Sequence, residues 1–132
     1  MDLGVAHLEL WQFEEAIDAF GRVLLRDPEN TEAMVFCGMV LRRLNRFDEA
    51  EEILSRCLAL RPDEKFAHGQ LCMVQFRKKR YNEALASVDR AIALDPDLAV
   101  FWAWKRRVLL RLDRLSEAAA ASARIVQLDP AF

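Results

Sequence analysis

An all-α solenoid of repeated helical hairpins is the fold class this 132-residue sequence predicts, on three observations. Pro28, Pro62, Pro96 and Pro130 fall 34 residues apart. Ala16, Ala50, Ala84 and Ala118 keep the same interval, each preceded by a glutamate (Glu15, Glu49, Glu83, Glu117). Between these markers apolar residues recur at helical spacing, and a strict period of this length marks units that stack on one another. The copies divide as residues 1–30, 31–64, 65–98 and 99–132 of a single domain, the first one clipped.

The second copy shows the unit most clearly. Ala33, Met34, Cys37, Gly38, Leu41 and Leu44 form one apolar stripe, which predicts a first helix over 31–44. Asn45-Arg46 interrupts it. Asp48 and Glu49 then put negative charge where a helix N-terminus favours it, and Ala50, Ile53, Leu54, Cys57, Leu58 and Leu60 resume a stripe that ends near Arg61-Pro62. So short a connection turns the second helix back on the first, with Gly38 and Ala50 at the tightest approach. Other acidic groups here, Glu51 and Glu52, suit solvent and pairing of Glu52 with Arg56 four residues on.

In the first copy Leu3, Gly4, His7 and Leu10 supply the stripe, and Trp11 takes the turn position held by Asn45. His7 reads as a core or boundary residue, since no nucleophile or carboxylate is placed beside it. The third copy puts His68 and Gln75 on the core stripe and loads its turn with Arg77-Lys78-Lys79-Arg80, cations suited to a helix C-terminus. Tyr81, in register with Phe13 and Phe47, is expected to pack between the helices. The fourth copy departs most. Lys105-Arg106-Arg107 occupies the helix contact, Phe101, Trp102 and Trp104 crowd the segment before it, and Ala118 to Ala121 make the facing helix narrow. Either the thin helix leaves room for the stem of Arg106, or this is a surface for a partner or a second copy.

Nineteen basic and 21 acidic residues leave −2 overall, which indicates neither a nucleic-acid nor a membrane partner. The charge is unevenly spread. Residues 1–64 carry 14 acidic and 7 basic groups, a net −7, and residues 65–132 carry 7 acidic and 12 basic groups, a net +5. No run reaches the roughly 18–20 apolar residues of a membrane span, Met1-Asp2 begins no basic leader, and a cytoplasmic location is expected. Cys37, Cys57 and Cys72 lie on apolar stripes without CxxC spacing and read as buried, reduced thiols. No phosphate loop, HExxH or nucleophile elbow occurs, so no catalytic residue, metal site or cofactor is expected and the chain is not read as an enzyme.

These residues resemble the tetratricopeptide repeat (TPR). Met34, His68 and Trp102 stand at the family's Trp; Cys37, Leu71 and Lys105 at its Leu; Gly4, Gly38, Cys72 and Arg106 at its Gly. Ala16, Ala50, Ala84 and Ala118 hold its Ala, Phe20, Leu54, Val88 and Ser122 its Phe, and the four prolines close the units. The resemblance implies a right-handed superhelix of four antiparallel hairpins whose first helices line a concave groove. Its groove positions are Val5, Leu8 and Glu9 in the first copy, and Val35, Met39, Arg42 and Arg43 in the second. The third copy places Phe66, Gly69, Met73, Phe76 and Arg77 there; the fourth, Ala103, Arg107, Leu110 and Arg111. Val35, Met39, Arg42, Arg43, Met73, Phe76, Arg77, Arg107, Leu110 and Arg111 are the candidate peptide-binding residues, an apolar lining with a basic edge. The Lys and Asn that grip a terminal carboxylate in chaperone-binding members are missing at Val35, Met39, Gly69, Met73 and Ala103.

The implied function is a peptide-binding adaptor or chaperone-like module for a partner with acidic and apolar groups. Two alternatives stand beside it. The chain could self-assemble through apolar area on Ile125, Val126 and Leu128 in its last copy, or it could be a segment of a larger protein.

Overall fold

The 34-residue period becomes helices of 13 and 14 residues in alternation. The computed structural model describes the backbone of residues 3–131 and the side chains of residues 10–131, so the expectations for Val5, His7, Leu8 and Glu9 lie outside the described side chains. The helices among the described residues are α1 Leu3–Arg26, α2 Thr31–Arg43, α3 Phe47–Leu60, α4 Lys65–Arg77, α5 Tyr81–Leu94, α6 Ala99–Arg111 and α7 Leu115–Leu128. The chain divides at Pro62 into two units.

Asn45, Lys79 and Asp113, each 34 residues from the next, have φ of 62°, 62° and 60°. Each ends a first helix in the same way. Arg46 N–H reaches back to Leu41 O at 2.9 Å and Asn45 N–H to Arg42 O at 3.0 Å, and Arg80, Lys79, Arg114 and Asp113 repeat the pair of bonds. A left-handed residue followed by this pairing satisfies helix-end carbonyls and reverses the chain. Asn and Asp tolerate that conformation better than most side chains; lysine has no such local bond to offer.

The first copy does not make this turn. Trp11 falls in the same register, and α1 runs unbroken through it from Leu3 to Arg26, so the expected clipped hairpin is one long helix. The physical reason is local. A bulky indole is costly at positive φ, and Gln12 stands where the other copies have Arg46, Arg80 and Arg114.

In the first unit α2 packs on both α1 and α3. Phe20 of α1 stacks on Phe36 of α2 at 6.1 Å, and Asn30 caps α2 by accepting the Ala33 N–H at 3.0 Å. Gly38 is required by packing. A Cβ there would come within 2.7 Å of Leu54 Cγ and Cδ2, while Ala50, Met34 and Leu54 are fully buried. Each large apolar side chain so buried contributes about 1.5–3 kcal/mol.

In the second unit α4, α5, α6 and α7 pack in sequence and α4 also touches α6. Cys72, Phe76, Val88, Ile92, Phe101 and Val108 are central to its core. Gly69 lets Phe101 in: a Cβ would sit 2.7 Å from the ring. His68 and Gln75 are buried as their stripe predicts, Gln75 accepting from Ser87 Oγ at 2.7 Å. On α7, Ala118, Ala121 and Ile125 face inward at i, i+3 and i+7, so Ile125 is buried and is not part of an exposed end. Val126, 62% exposed, carries the apolar area there.

Candidate functional site

Helical spacing puts Met73, Phe76 and Arg77 on the last turns of α4, and Arg107, Leu110 and Arg111 on the last turns of α6. Phe76 is buried at 7% exposure, wedged edge-on against Tyr81 and Trp104, each with its ring 5.5 Å away. It is therefore the floor of this face. Two arginines lie over it: the guanidinium of Arg107 is 5.2 Å from the Phe76 ring and 4.5 Å from Trp104, and that of Arg111 is 5.5 Å from Phe76. A cation–π contact of this kind contributes about 0.5–1 kcal/mol at an exposed site.

Arg107 and Arg111 meet no carboxylate within ion-pair distance among the described residues. Most neighbouring cations are answered. Lys65 pairs with Asp95 at 2.8 Å, Lys105 with Asp89 at 2.8 Å, Arg114 with Glu117 at 2.7 Å and Arg124 with Asp97 at 3.2 Å. Two like charges at i, i+4 repel by a few tenths of a kcal/mol, so this pair is held by the aromatic floor and would gain from an added anion. Leu110, 51% exposed, and half-buried Met73 supply apolar surface on these two helices.

The candidates of the first unit lie on α2, where Val35, Met39 and Arg42 are half-buried and Arg43 is exposed. Within the second unit the structure unites Phe76, Arg107 and Arg111. It adds Trp104, which the sequence places near the helix contact and which joins Phe76 as the platform for Arg107, and Tyr81, which braces Phe76 from the side. The i, i+3 spacing of Trp104 and Arg107 was the available signal.

Elsewhere the chemistry is quiet. Burial pushes the Cys72 thiol up to about 12, with a smaller push from Asp89, and burial likewise raises Cys37 against the opposing charge of Arg46. Thiols so shifted stay protonated and are poor nucleophiles. A cleft of about 400 Å³ between α6 and α7 is lined by Trp102, Lys105, Ala121 and Arg124, and its two cations are paired with Asp89 and Asp97. Among the described residues no helix is long and apolar enough to cross a membrane.

Two family models, each described as "Tetratricopeptide repeat", match residues 7–71 and 73–131. The chain belongs to the tetratricopeptide-repeat family. A crystal structure of MamA is similar to this TPR chain at TM-score 0.86 and 25% identity, over 100% of this chain and 77% of that one. MamA 41-end from Desulfovibrio magneticus RS-1 is similar at 0.83 and 21%, over 97% and 72%. The first TPR of Spaghetti (RPAP3) bound to HSP90 peptide SRMEEVD gives 0.76 and 19%, over 80% and 84%, a likeness of fold alone. No curated protein matches the sequence.

Proposed function

We propose that this TPR protein is a non-catalytic interaction module whose α4/α6 face takes a partner segment bearing acidic and apolar side chains. The observation that supports it is the pair Arg107 and Arg111, laid over Phe76 and Trp104 without carboxylate partners among the described residues. Arginine suits the task because its planar fork engages a carboxylate through two hydrogen bonds, and the stacking orients that fork before the ligand arrives. Leu110 and Met73 take the apolar groups, methionine adapting to their shapes. Arg77, at the end of α4, is read as an edge cation that steers the ligand. The solved RPAP3 repeat with an acidic HSP90 peptide is a precedent for the ligand class within the fold. It is no precedent for the residues, since the clamp positions here hold Val35, Met39, Gly69, Met73 and Ala103.

The test is titration of a fluorescent peptide alternating Glu with Leu or Phe. Binding is expected to weaken with salt and to fall about tenfold or more in Arg107→Glu/Arg111→Glu, the scale of a charged hydrogen bond, with little change in melting temperature. Arg77→Glu/Arg111→Glu is expected to weaken it as well. Unchanged affinity in both variants would return these arginines to stabilising helix ends.

A further inference from the structure

We infer that the acidic group taken by the α4/α6 face is a phosphorylated serine side chain of a partner protein; this rests on the site proposed above and names its ligand more closely. Arg107 and Arg111 are both exposed, and their guanidiniums lie 5.2 and 5.5 Å from the centre of one ring, that of Phe76. Sharing that ring gathers two cations from successive turns of α6 in one place. Neither meets a carboxylate within ion-pair distance among the described residues. The helix end does not supply the missing charge to both: Arg111 is the last residue of α6, but Arg107 stands a full turn earlier, where the negative end of the helix fades. A single carboxylate arriving here cancels one charge of the two, and two carboxylates repel each other as they enter. A phosphoryl group carries about −1.5 to −2 at neutral pH and three acceptor oxygens, so one group answers both guanidiniums.

The surroundings choose among phosphates. Phe76 is buried and half-buried Trp104 is covered by Arg107, so this platform offers no open ring face to a nucleobase or to the ring of a phosphotyrosine. A nucleic-acid strand or an anionic membrane acts through many charges at once, and a chain of net charge −2 is unsuited to either. A short side chain with one phosphoryl group asks only for a local pair of cations. Leu110, 51% exposed and between the two arginines in sequence, gives apolar surface to a residue beside the phosphoserine. Arg77 closes α4 as Arg111 closes α6, one 34-residue repeat later, and adds positive charge at the same end of the neighbouring helix. Residues 65–132 carry a net +5, a field that draws a segment made more negative by phosphorylation.

Retention of three peptide libraries on the immobilised full chain tests this, each random except for a central serine, glutamate or phosphoserine. The phosphoserine library is expected to be held about tenfold or more above the glutamate library, the scale of one further charge-assisted hydrogen bond, and the serine library least. Arg107→Gln/Arg111→Gln is expected to hold phosphoserine no better than serine. Arg107→Lys/Arg111→Lys keeps both charges without the planar forks, and its preference for phosphoserine is expected to shrink several-fold; it decides the matter if the glutamine variant fails to fold. Equal retention of phosphoserine and glutamate by the wild type, or a preference undiminished in either variant, would overturn the inference. So would binding of phosphoinositide vesicles or single-stranded RNA that depends on Arg107 and Arg111 while phosphoserine shows no advantage. A glutamate library held through these arginines without a phosphoserine advantage removes only the phosphoryl group; retention of neither library removes the site as well.

Discussion

The first copy and the three later ones share their markers but not their shape. Gly4 and Ala16 stand at the registers of Gly38 and Ala50, so the small residues for a close helix pair are present in both. The later copies fold back at Asn45, Lys79 and Asp113, whereas α1 continues through Trp11. Small residues at the contact permit a hairpin; the residue able to take positive φ decides whether one forms.

The hairpin side of this comparison breaks most readily at Gly38. Gly38→Leu would drive its side chain into buried Leu54 and is expected to cost about 1–3 kcal/mol, read from urea unfolding. In α1 the sign reverses. Nothing lies within 4 Å of a Cβ at Gly21, so Gly21→Ala should stabilise by about 0.5–1 kcal/mol through helix propensity. A neutral Gly38→Leu would mean that α2 and α3 are not in tight contact.

Next in size is the turn itself. Lys79 holds φ at 62° without the local hydrogen bonding available to Asn45 or Asp113, and Lys79→Gly should stabilise by about 1 kcal/mol. Asn45→Gly should gain less, because asparagine already tolerates the conformation. Equal gains at both sites would show that side-chain identity does not matter there.

Most of the later hairpins could be read from the chain. Met34 and Leu54 lie on the predicted stripes, Ala84 and Val88 at the registers of Ala50 and Leu54, and all four are fully buried, since burial follows a 3.6-residue period set by covalent geometry. The long α1 departs from the repeat markers because Trp11, the residue least suited to the turn, stands at the turn position. Ile125 is buried rather than exposed because it shares the inward side of α7 with Ala118 and Ala121. The site was half legible. Arg107 and Arg111 came from register, but their stacking on Phe76 and Trp104 depends on the contact between α4 and α6, a tertiary distance no local pattern encodes.

A turn can be grafted to sharpen the comparison. Trp11→Asn/Gln12→Arg gives the first copy the Asn-Arg pair of the second, and hydrogen exchange at residues 9–14 should then rise as the straight helix yields to a bend. The net change in stability is expected to be under about 1 kcal/mol, because a weaker helix former is offset by a better turn. Undiminished protection would mean that packing rather than residue 11 keeps α1 straight.

The smallest expected effect is electrostatic and again separates the copies. Arg46, immediately after the Asn45 turn, donates from Nε and Nη2 to the two carboxylate oxygens of Glu49 at 3.0 and 2.7 Å, and its Nη1 lies 3.5 Å from Glu14. Those hydrogen bonds, aided by Arg46's charge, hold the Glu49 carboxyl below the usual carboxylate range. A depressed native pKa stabilises the fold fully above the unfolded value of about 4.3, and the contribution is lost as pH falls through the native value. The melting temperature of the wild type should therefore exceed that of Glu49→Gln by a constant margin near neutrality, and the margin should shrink below about pH 4. The pair is exposed, so added salt should narrow the margin as well. In the first copy Gln12 stands where the later copies have the arginine, so this ion pair has no counterpart there. A margin for Glu49→Gln that persists to pH 2 would mean that its side-chain packing, and not the ion pair with Arg46, supports the start of α3.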